Sequence, residues 1–385
     1  MPKVLFGLLP PHNQTNLLTV VAIWLINTES LALEYFAVPD KAPPYAILSN
    51  MWGEEEVASP SSAPRLSPTL LSRRKISVIK KTCGLDQNSN IRYAWVDTCC
   101  IDKSSSAELS EAINSMFNFY QRPEICYAFI SDWAPGWNGL TRPPLGRKRP
   151  DGPLPPRWFA RGWTLQELLA PAKVQFHYTT WRSKGFKQDR RIVPELSRVT
   201  GVSERVQHDG SKNSLSRVCL AQRMSWAAHR ETSGVEDISY YLLGIFQVNM
   251  NSTIRGGRAF YRLQQELINN TTDLSWFAWS AEPVAQGSPL FAPWPKVLVD
   301  LGACSFLKSG YDISTEMRAM NKGIRLESPR LYFTTRKGLK IPGRLDSKCG
   351  SVEGISWYPD LYCTADGNTP LFLDFFRILE RLDYA

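Results

Sequence analysis

The sequence predicts an α/β fold built on a doubly wound, mostly parallel sheet. Three short apolar segments have the length and composition of buried strands, and segments with helical periodicity separate them. The strand candidates are residues 45–49, 93–97 and 125–131. Because parallel strands need long crossover connections, which are usually helical, this alternation favours a parallel sheet with helices on its faces.

The helices between these strands are predicted from periodicity and from helix-breaking residues. Residues 70–83 form a basic, weakly amphipathic helix candidate after the first strand. The next helix is indicated by apolar residues that recur at helical spacing. These are Leu109, Ile113, Met116, Phe117 and Tyr120. A shorter helix ends at Pro171, and residues 173–178 form a fourth strand candidate behind it.

Composition divides the chain into three predicted parts. Residues 1–22 form a poorly defined leader, residues 23–282 form one domain, and residues 283–385 form a β-rich C-terminal region. Inside the domain, we place an α/β core at about 45–180 and an added helical part at about 214–270. The helical part contains three helix candidates, residues 215–228, 235–246 and 258–268. Proline-rich residues 134–157 are expected to be a surface insertion.

Bulk properties exclude several classes of protein. The chain has 385 residues, 43% hydrophobic content and 13 tryptophans, which favour a packed core over disorder. The net charge of +9 is spread along the chain, so we expect no nucleic-acid partner.

Neither the apolar segment near the N-terminus nor the cysteines indicate a membrane or metal-binding protein. The run over residues 17–26 is too short to span a bilayer, and it lacks the flanks of a signal peptide. Eight cysteines without a CxxC pair, together with four histidines, predict no metal site. We therefore expect a cytoplasmic protein with reduced thiols and no membrane span.

The most informative segment is residues 161–171, RGWTLQELLAP. Trp163 and Glu167 are four residues apart and therefore share one face of a helix. A glutamate near a helix N-terminus can be a surface residue, worth about 0.3–1 kcal/mol through the helix dipole. It can equally be the reactive carboxylate of a site, and the segment alone does not decide between the two.

Four stretches together resemble the fungal heterokaryon-incompatibility (HET) domain. They are residues 45–57, 93–120, 158–171 and 221–246. The resemblance runs from about Trp24 to Trp279 and implies a cytosolic effector or signalling module in fungal non-self recognition and programmed cell death.

Three positions or stretches depart from the HET pattern. Asn50 precedes the tryptophan where the family has a histidine or another polar residue. Gln247 replaces an acid, and residues 254–257 replace a Tyr-Gly-Glu-Gly stretch. These departures leave open a degenerate, inactive paralogue.

The order of elements also resembles the TIR domain, which has a flavodoxin-like fold. NAD-cleaving TIR domains carry their catalytic glutamate on a helix with a Trp-Cys-Leu-x-Glu-Leu pattern after the third strand. Residues 163–168 fit that pattern, except that Thr164 replaces the cysteine. The resemblance implies a TIR-like sheet, a catalytic Glu167, and cleavage of NAD as substrate between nicotinamide and ribose, with no cofactor.

Ligands of doubly wound sheets bind at the carboxyl ends of the strands. The residues expected to bind NAD there are Ser49, Trp52, Gly53, Asp97 and Trp163. Trp52 offers a ring for stacking, and Gly53 permits close backbone approach. The competing interpretations make Asp97 a cap of the following turn and the tryptophans part of the core.

The leading functional hypothesis is therefore an incompatibility effector that cleaves NAD. The alternative is a non-enzymatic adaptor in which self-association is itself the signal. In either case the expected protein partner is a second copy of the chain or a separate sensor protein.

Overall fold

The computed structural model describes the larger part of the chain. The described residues are 22–38, 41–51, 73–88, 90–133, 155–209, 212–271, 273, 275–278, 291–303, 305–306, 316–320, 323–327, 331–335, 340–343, 355–364 and 370–372. Residues 1–21 of the expected leader, Trp52, Gly53, and residues 134–154 of the expected insertion lie outside these ranges.

A seven-stranded mixed sheet forms the centre of the fold, in the order β2-β1-β4-β3-β5-β6-β7. Its strands are β1 Ile23–Asn27, β2 Leu33–Phe36, β3 Tyr45–Asn50, β4 Tyr93–Trp95, β5 Ile125–Phe129, β6 Val174–His177 and β7 Ser183–Phe186. Strands β4, β3, β5 and β6 are parallel, and β1, β2 and β7 add antiparallel edges. The α/β class and the four predicted strands are confirmed, and the antiparallel edges make the sheet mixed.

Strand β4 is shorter than the strand predicted over residues 93–97. Strand β4 ends at Trp95, because the amides of Cys99 and Cys100 donate to the Val96 carbonyl and start helix α2 at Asp97. Asp97 thus begins a helical turn at the carboxyl end of β4.

The order of the parallel strands locates a crevice. Numbered by their order along the chain, the four parallel strands lie side by side as second, first, third and fourth. One type of doubly wound sheet begins with this strand order. Across the sheet, the connection from β3 to β4 runs towards one edge, and the connection from β4 to β5 runs back towards the other edge. Because such crossovers are right-handed, the two connecting helices cover opposite faces. The directions diverge at the carboxyl ends of β3 and β5, where such folds bind ligands.

Five helices accompany this sheet up to β6. They are α1 Arg73–Asn88, α2 Asp97–Cys100, α3 Ser106–Gln121, α4 Arg157–Ala160 and α5 Thr164–Leu169. Helix α3 begins with an N-cap, because the Ser105 hydroxyl accepts from the Glu108 amide, and the Glu108 carboxylate accepts from the Asp102 amide in the preceding loop. Helix α3 packs against α5.

The helical part is more broken than its periodicity predicts. The described helices after β7 are α6 Val193–Thr200, α7 Glu204–Asp209, α8 Lys212–Ser216, α9 Leu220–Ser225, α10 Asp237–Tyr240, α11 Leu243–Phe246 and α12 Arg258–Asn270, of which α8 to α12 belong to the helical part. The predicted helix over 215–228 is shortened because the Leu220 amide donates to the Asp273 carboxylate, which marks a new helix start. Helix α11 ends at Gln247, which has a left-handed φ of 60°.

The described residues after α12 contain 3₁₀ segments and antiparallel strands. The 3₁₀ segments are Ser275–Ala278 and Pro295–Ala303. The strands are β8 Ser305–Phe306, β9 Glu316–Met320, β10 Gly323–Glu327, β11 Leu331–Thr335, β12 Lys340–Gly343, β13 Ile355–Thr364 and β14 Pro370–Phe372. All their pairings are antiparallel.

Within the part of the chain that the structure describes, every helix is too short or too polar to cross a lipid bilayer.

Candidate functional site

Helix α5 carries the predicted carboxylate and begins at a tight turn. The Thr164 hydroxyl lies against the carbonyls of Trp158 and Arg161, so this side chain stabilises the turn from α4 into α5. Pro171 prevents the helix from continuing beyond its last residue, Leu169. The sequence thus fixes both ends of a six-residue helix.

Ser49 and Glu167 meet at the carboxyl end of β3. The Ser49 hydroxyl donates to Glu167 Oε2 at 2.5 Å and accepts from Trp158 Nε1 at 2.8 Å. Ser49 and Trp158 are completely buried, whereas Glu167 is half-buried. Glu167 is therefore not a freely solvated helix acid, because its carboxylate is held by a donor from the sheet.

Tyr120 of α3 is a second contact of this carboxylate. Its hydroxyl donates to the Leu48 carbonyl at 3.2 Å and also lies within hydrogen-bond reach of the Glu167 side chain. Burial, followed by the charge of Glu167, holds the pKa of Tyr120 well above its ordinary value. Tyr120 therefore stays protonated and can donate a hydrogen bond to Glu167 at neutral pH.

Helical periodicity alone placed Tyr120 among the core residues of α3. A buried tyrosine hydroxyl usually has a hydrogen-bond partner, and this was the signal that could have pointed to a polar contact.

Asp97 lies near the same group of residues. It is half-buried at the start of α2, and its negative charge contributes to the raised pKa of Tyr120. Strand β4, which precedes it, pairs with β3, which carries Ser49. The structure thus places Ser49 and Asp97 at the carboxyl ends of the neighbouring strands β3 and β4, with Glu167 of α5 in contact with Ser49.

Trp163 is directed elsewhere. Its ring packs against Tyr241, with ring centroids 6.4 Å apart, and its side chain hydrogen-bonds Asp237. These contacts join the start of α5 to the helical part rather than to Ser49. In both contacts, Trp163 therefore packs against the helical part and not against Ser49 or Glu167.

Two buried cations flank α5. Arg230 donates from Nη1 to the Arg161 carbonyl at 2.7 Å and to Thr164 Oγ1 at 3.2 Å, at the start of the helix. Lys187 donates from Nζ to the carbonyls of Leu168 at 3.0 Å and Pro171 at 2.7 Å, at its end. A cation at the last carbonyls of a helix is favourable both as a donor and through the helix dipole.

Burial lowers the pKa of both cations. The pKa of Lys187 falls to about 8, with the nearby Cys126 acting in the opposite direction. The pKa of Arg230 falls to about 10, opposed by Tyr241 and by the charge of Glu167. The burial of these two cations could not be predicted from the sequence, because Lys and Arg are rarely fully buried.

Cys126 of β5 is the thiol next to Glu167. It is completely buried, and burial together with the Glu167 charge raises its pKa well above the ordinary value. A protonated, buried thiol is a poor nucleophile, so Cys126 is not a candidate for the reactive group of this site. Among the described residues, no group of three or more His, Cys, Asp or Glu side chains is placed to hold a metal ion.

Comparison with known proteins identifies the family. Residues 45–141 match the family model described as heterokaryon incompatibility protein (HET). The chain is also 36% identical over 241 residues to vegetative incompatibility protein HET-E-1 of Podospora anserina. That alignment covers 59% of this chain and 16% of the relative. No solved structure matches significantly.

The matched family segment contains Ser49, Asp97 and Tyr120, and α5 lies beyond it. The family match therefore includes the sheet side of the site but not the helix that carries the carboxylate. On these comparisons, the chain contains a segment of the HET family and is similar to a fungal vegetative incompatibility protein.

Proposed function

We propose that this protein acts in heterokaryon incompatibility by cleaving NAD at the nicotinamide–ribose bond, with Glu167 as the catalytic carboxylate. The observation that carries the proposal is the hydrogen bond of 2.5 Å from the buried Ser49 hydroxyl to Glu167 at the carboxyl end of β3. The biological role rests on the family and on a relative whose name describes a vegetative incompatibility protein.

The strand order supports a TIR-like arrangement of this site. Strand β5 is the third parallel strand along the chain, and α5, with Glu167, lies between it and the fourth, β6. In the TIR domains that this chain resembles, the helix after the third strand carries the glutamate that acts on NAD. Glu167 therefore has both the sequence pattern and the topological position that the resemblance requires.

The chemistry suits a single fixed carboxylate. Nicotinamide leaves C1′ of the ribose with the bonding electron pair, a water molecule adds to C1′, and the proton of that water passes to the solvent. The ribose carries positive charge in the transition state, as in glycoside hydrolysis. A preorganised carboxylate that stabilises such charge contributes about 3–4 kcal/mol, or a factor of 10²–10³ in rate.

The surrounding residues take supporting roles in this proposal. Ser49 and Tyr120 hold the carboxylate in one orientation, and Asp97, together with Trp52 and Gly53, contributes to NAD binding. NAD is the substrate, so the reaction requires no further cofactor. We place the reaction in the cytoplasm, with self-association or a separate sensor protein as the trigger.

The test is nicotinamide release by the purified, concentrated full-length chain, measured for wild type and for Glu167→Gln. We expect the variant to be at least about 100-fold slower at saturating NAD. Glu266→Gln is the matched control, since it alters another half-buried helical glutamate, on α12, and should leave the rate unchanged.

Equal nicotinamide release from wild type and Glu167→Gln would remove Glu167 from catalysis. Overexpression in a fungal host then addresses the non-enzymatic alternative. Cell death that persists at full strength in Glu167→Gln would favour an adaptor whose assembly is the signal.

A further inference from the structure

The helical part meets the catalytic helix at one turn. The Gly162 amide donates to the Glu231 carbonyl at 2.8 Å, and the Glu231 amide donates to the Ala160 carbonyl at 2.7 Å. These two bonds form a short parallel bridge between Arg161 and Glu231. The residue before Glu231 is Arg230, so its side chain starts beside the turn that leads into α5.

The guanidinium of Arg230 is built into this turn. Only 5% of Arg230 is exposed. Nη1 donates to the Arg161 carbonyl and to Thr164 Oγ1, whereas Nε donates to the Trp226 carbonyl at 3.2 Å. One rigid, planar group thus connects the segment after α9 with the first residue of α5, a connection that a flexible ammonium would not reproduce.

The charge of Arg230 also acts on the carboxylate of Glu167. The two groups interact electrostatically, and Glu167 is among the groups that favour the charged form of Arg230. Tyr120 and Cys126 are also coupled to Glu167, and both have raised pKa values and are neutral at pH 7. Arg230 also interacts with Tyr241, and burial raises the pKa of Tyr241 as well. Arg230 therefore supplies positive charge where the neighbouring tyrosine and thiol supply none.

We propose that Arg230 is a positioning residue for Glu167, which fixes the start of α5 and stabilises the ionised carboxylate through its charge. The assignment extends the proposed function, because it concerns the orientation and ionisation of the same glutamate. It gives the helical part a role in the reaction, since a shift of residues 226–231 would move Arg230 away from α5.

The direct test measures the ionisation of Glu167 without any substrate. The carboxylate stretch of Glu167 is isolated in the infrared as the difference between each protein and the same protein carrying Glu167→Gln, and it is followed against pH. Arg230→Gln removes the charge but keeps hydrogen-bond donors, and Arg230→Lys keeps the charge but loses the planar fork. Lys187→Met is the matched control, because it removes the other buried cation from the opposite end of α5.

We expect the titration midpoint of Glu167 to rise by about half a pH unit or more in Arg230→Gln. It should stay at the wild-type value in Arg230→Lys and in Lys187→Met. An unchanged midpoint in Arg230→Gln, or an equal rise in Lys187→Met, would overturn the proposal. In the second case, loosening of α5 would be the cause rather than the charge of Arg230.

Nicotinamide release provides the second readout. We expect kcat to fall about tenfold or more in Arg230→Lys, because a displaced carboxylate stabilises the transition state poorly. This variant also decides the positioning role if Arg230→Gln does not fold, and a wild-type kcat in Arg230→Lys would overturn that role. If wild type releases no nicotinamide, the proposed function fails, whereas the infrared titration still tests the action of Arg230 on Glu167.

Discussion

Ser49 is the residue that joins the sheet to the proposed reactive group. Its single hydroxyl donates to Glu167 and accepts from the Trp158 indole, so one buried and one half-buried polar group are bonded to the same oxygen. Leaving such a group without a partner costs about 1–3 kcal/mol. The same hydroxyl therefore contributes to folding and to the orientation of the carboxylate.

We expect Ser49→Ala to lower the free energy of unfolding by about 1–3 kcal/mol, because the Trp158 N–H then has no acceptor. Urea denaturation followed by tryptophan fluorescence measures the change. The control is Ser183→Ala, which removes an exposed hydroxyl bonded to Gln175 and should change stability by about 0.5 kcal/mol or less. Equal losses in the two variants would contradict the role of Ser49.

Lys187 predicts a pH dependence of stability. Its pKa is about 8 in the folded protein, because burial disfavours the charge, and an unperturbed lysine has a pKa of about 10.4. Between these values the unfolded chain binds more protons than the folded one, so this site favours folding increasingly as pH rises.

We expect the stability of wild type, relative to Lys187→Met, to increase by about 2 kcal/mol between pH 7 and pH 9.5. Urea denaturation of both proteins at each pH measures this difference, and the comparison cancels the titration of all other groups. A difference that stays constant or declines over this range would show that Lys187 is not a desolvated cation.

At the scale of elements, α5 is a short helix fixed by its neighbours. A helix of six residues has little stability of its own, so tertiary contacts must hold it. Lys187 binds its last carbonyls, and Arg230 binds its first turn. The side chain of Tyr241 packs directly on Gly162, two residues before the helix begins.

Gly162→Ala tests this contact between α5 and the helical part. A Cβ at Gly162 would lie 2.4 Å from Tyr241 Cε1 and 2.6 Å from Thr232 Cγ2, so both neighbours would have to move. We expect a loss of about 1–3 kcal/mol in unfolding free energy by urea denaturation.

Gly84→Ala is the control for this substitution. Gly84 lies inside α1, and a methyl group on its Cα would have open space around it to 4 Å, so alanine should raise stability by up to about 1 kcal/mol. A Gly162→Ala protein as stable as Gly84→Ala would show that the contact is not tight.

The elements that sequence predicted are those with a strong local pattern. Residues 45–49 and 125–131 are apolar on both faces, which is typical of central parallel strands. Strands β2 and β7 escaped prediction because they are four-residue edge strands with partly exposed side chains. Helix α5 was predicted from its spacing and its terminal proline.

The site itself was only partly predictable. Ser49 and Glu167 were both identified as candidates, but their contact joins residues 118 positions apart and depends on the strand order. Tyr120, Arg230 and Lys187 were missed as site residues, because a local pattern does not reveal which polar group becomes buried beside a carboxylate.

At the scale of the whole molecule, the carboxyl end of β3 brings together the family segment and helix α5. The family match ends at residue 141, whereas the carboxylate that it contacts lies on α5 at 164–169. The aligned segment covers 16% of the relative from Podospora anserina. The proposed reaction therefore has to be measured on this chain itself.

The central claim is that the carboxylate of Glu167 acts on NAD. Its most direct test is the rate of nicotinamide release at saturating NAD by wild type and by Glu167→Gln, with both shown to be folded by circular dichroism. We expect measurable nicotinamide release by wild type and a rate at least about 100-fold lower in Glu167→Gln. Equal rates in the two proteins, or no release by folded wild type, would contradict it.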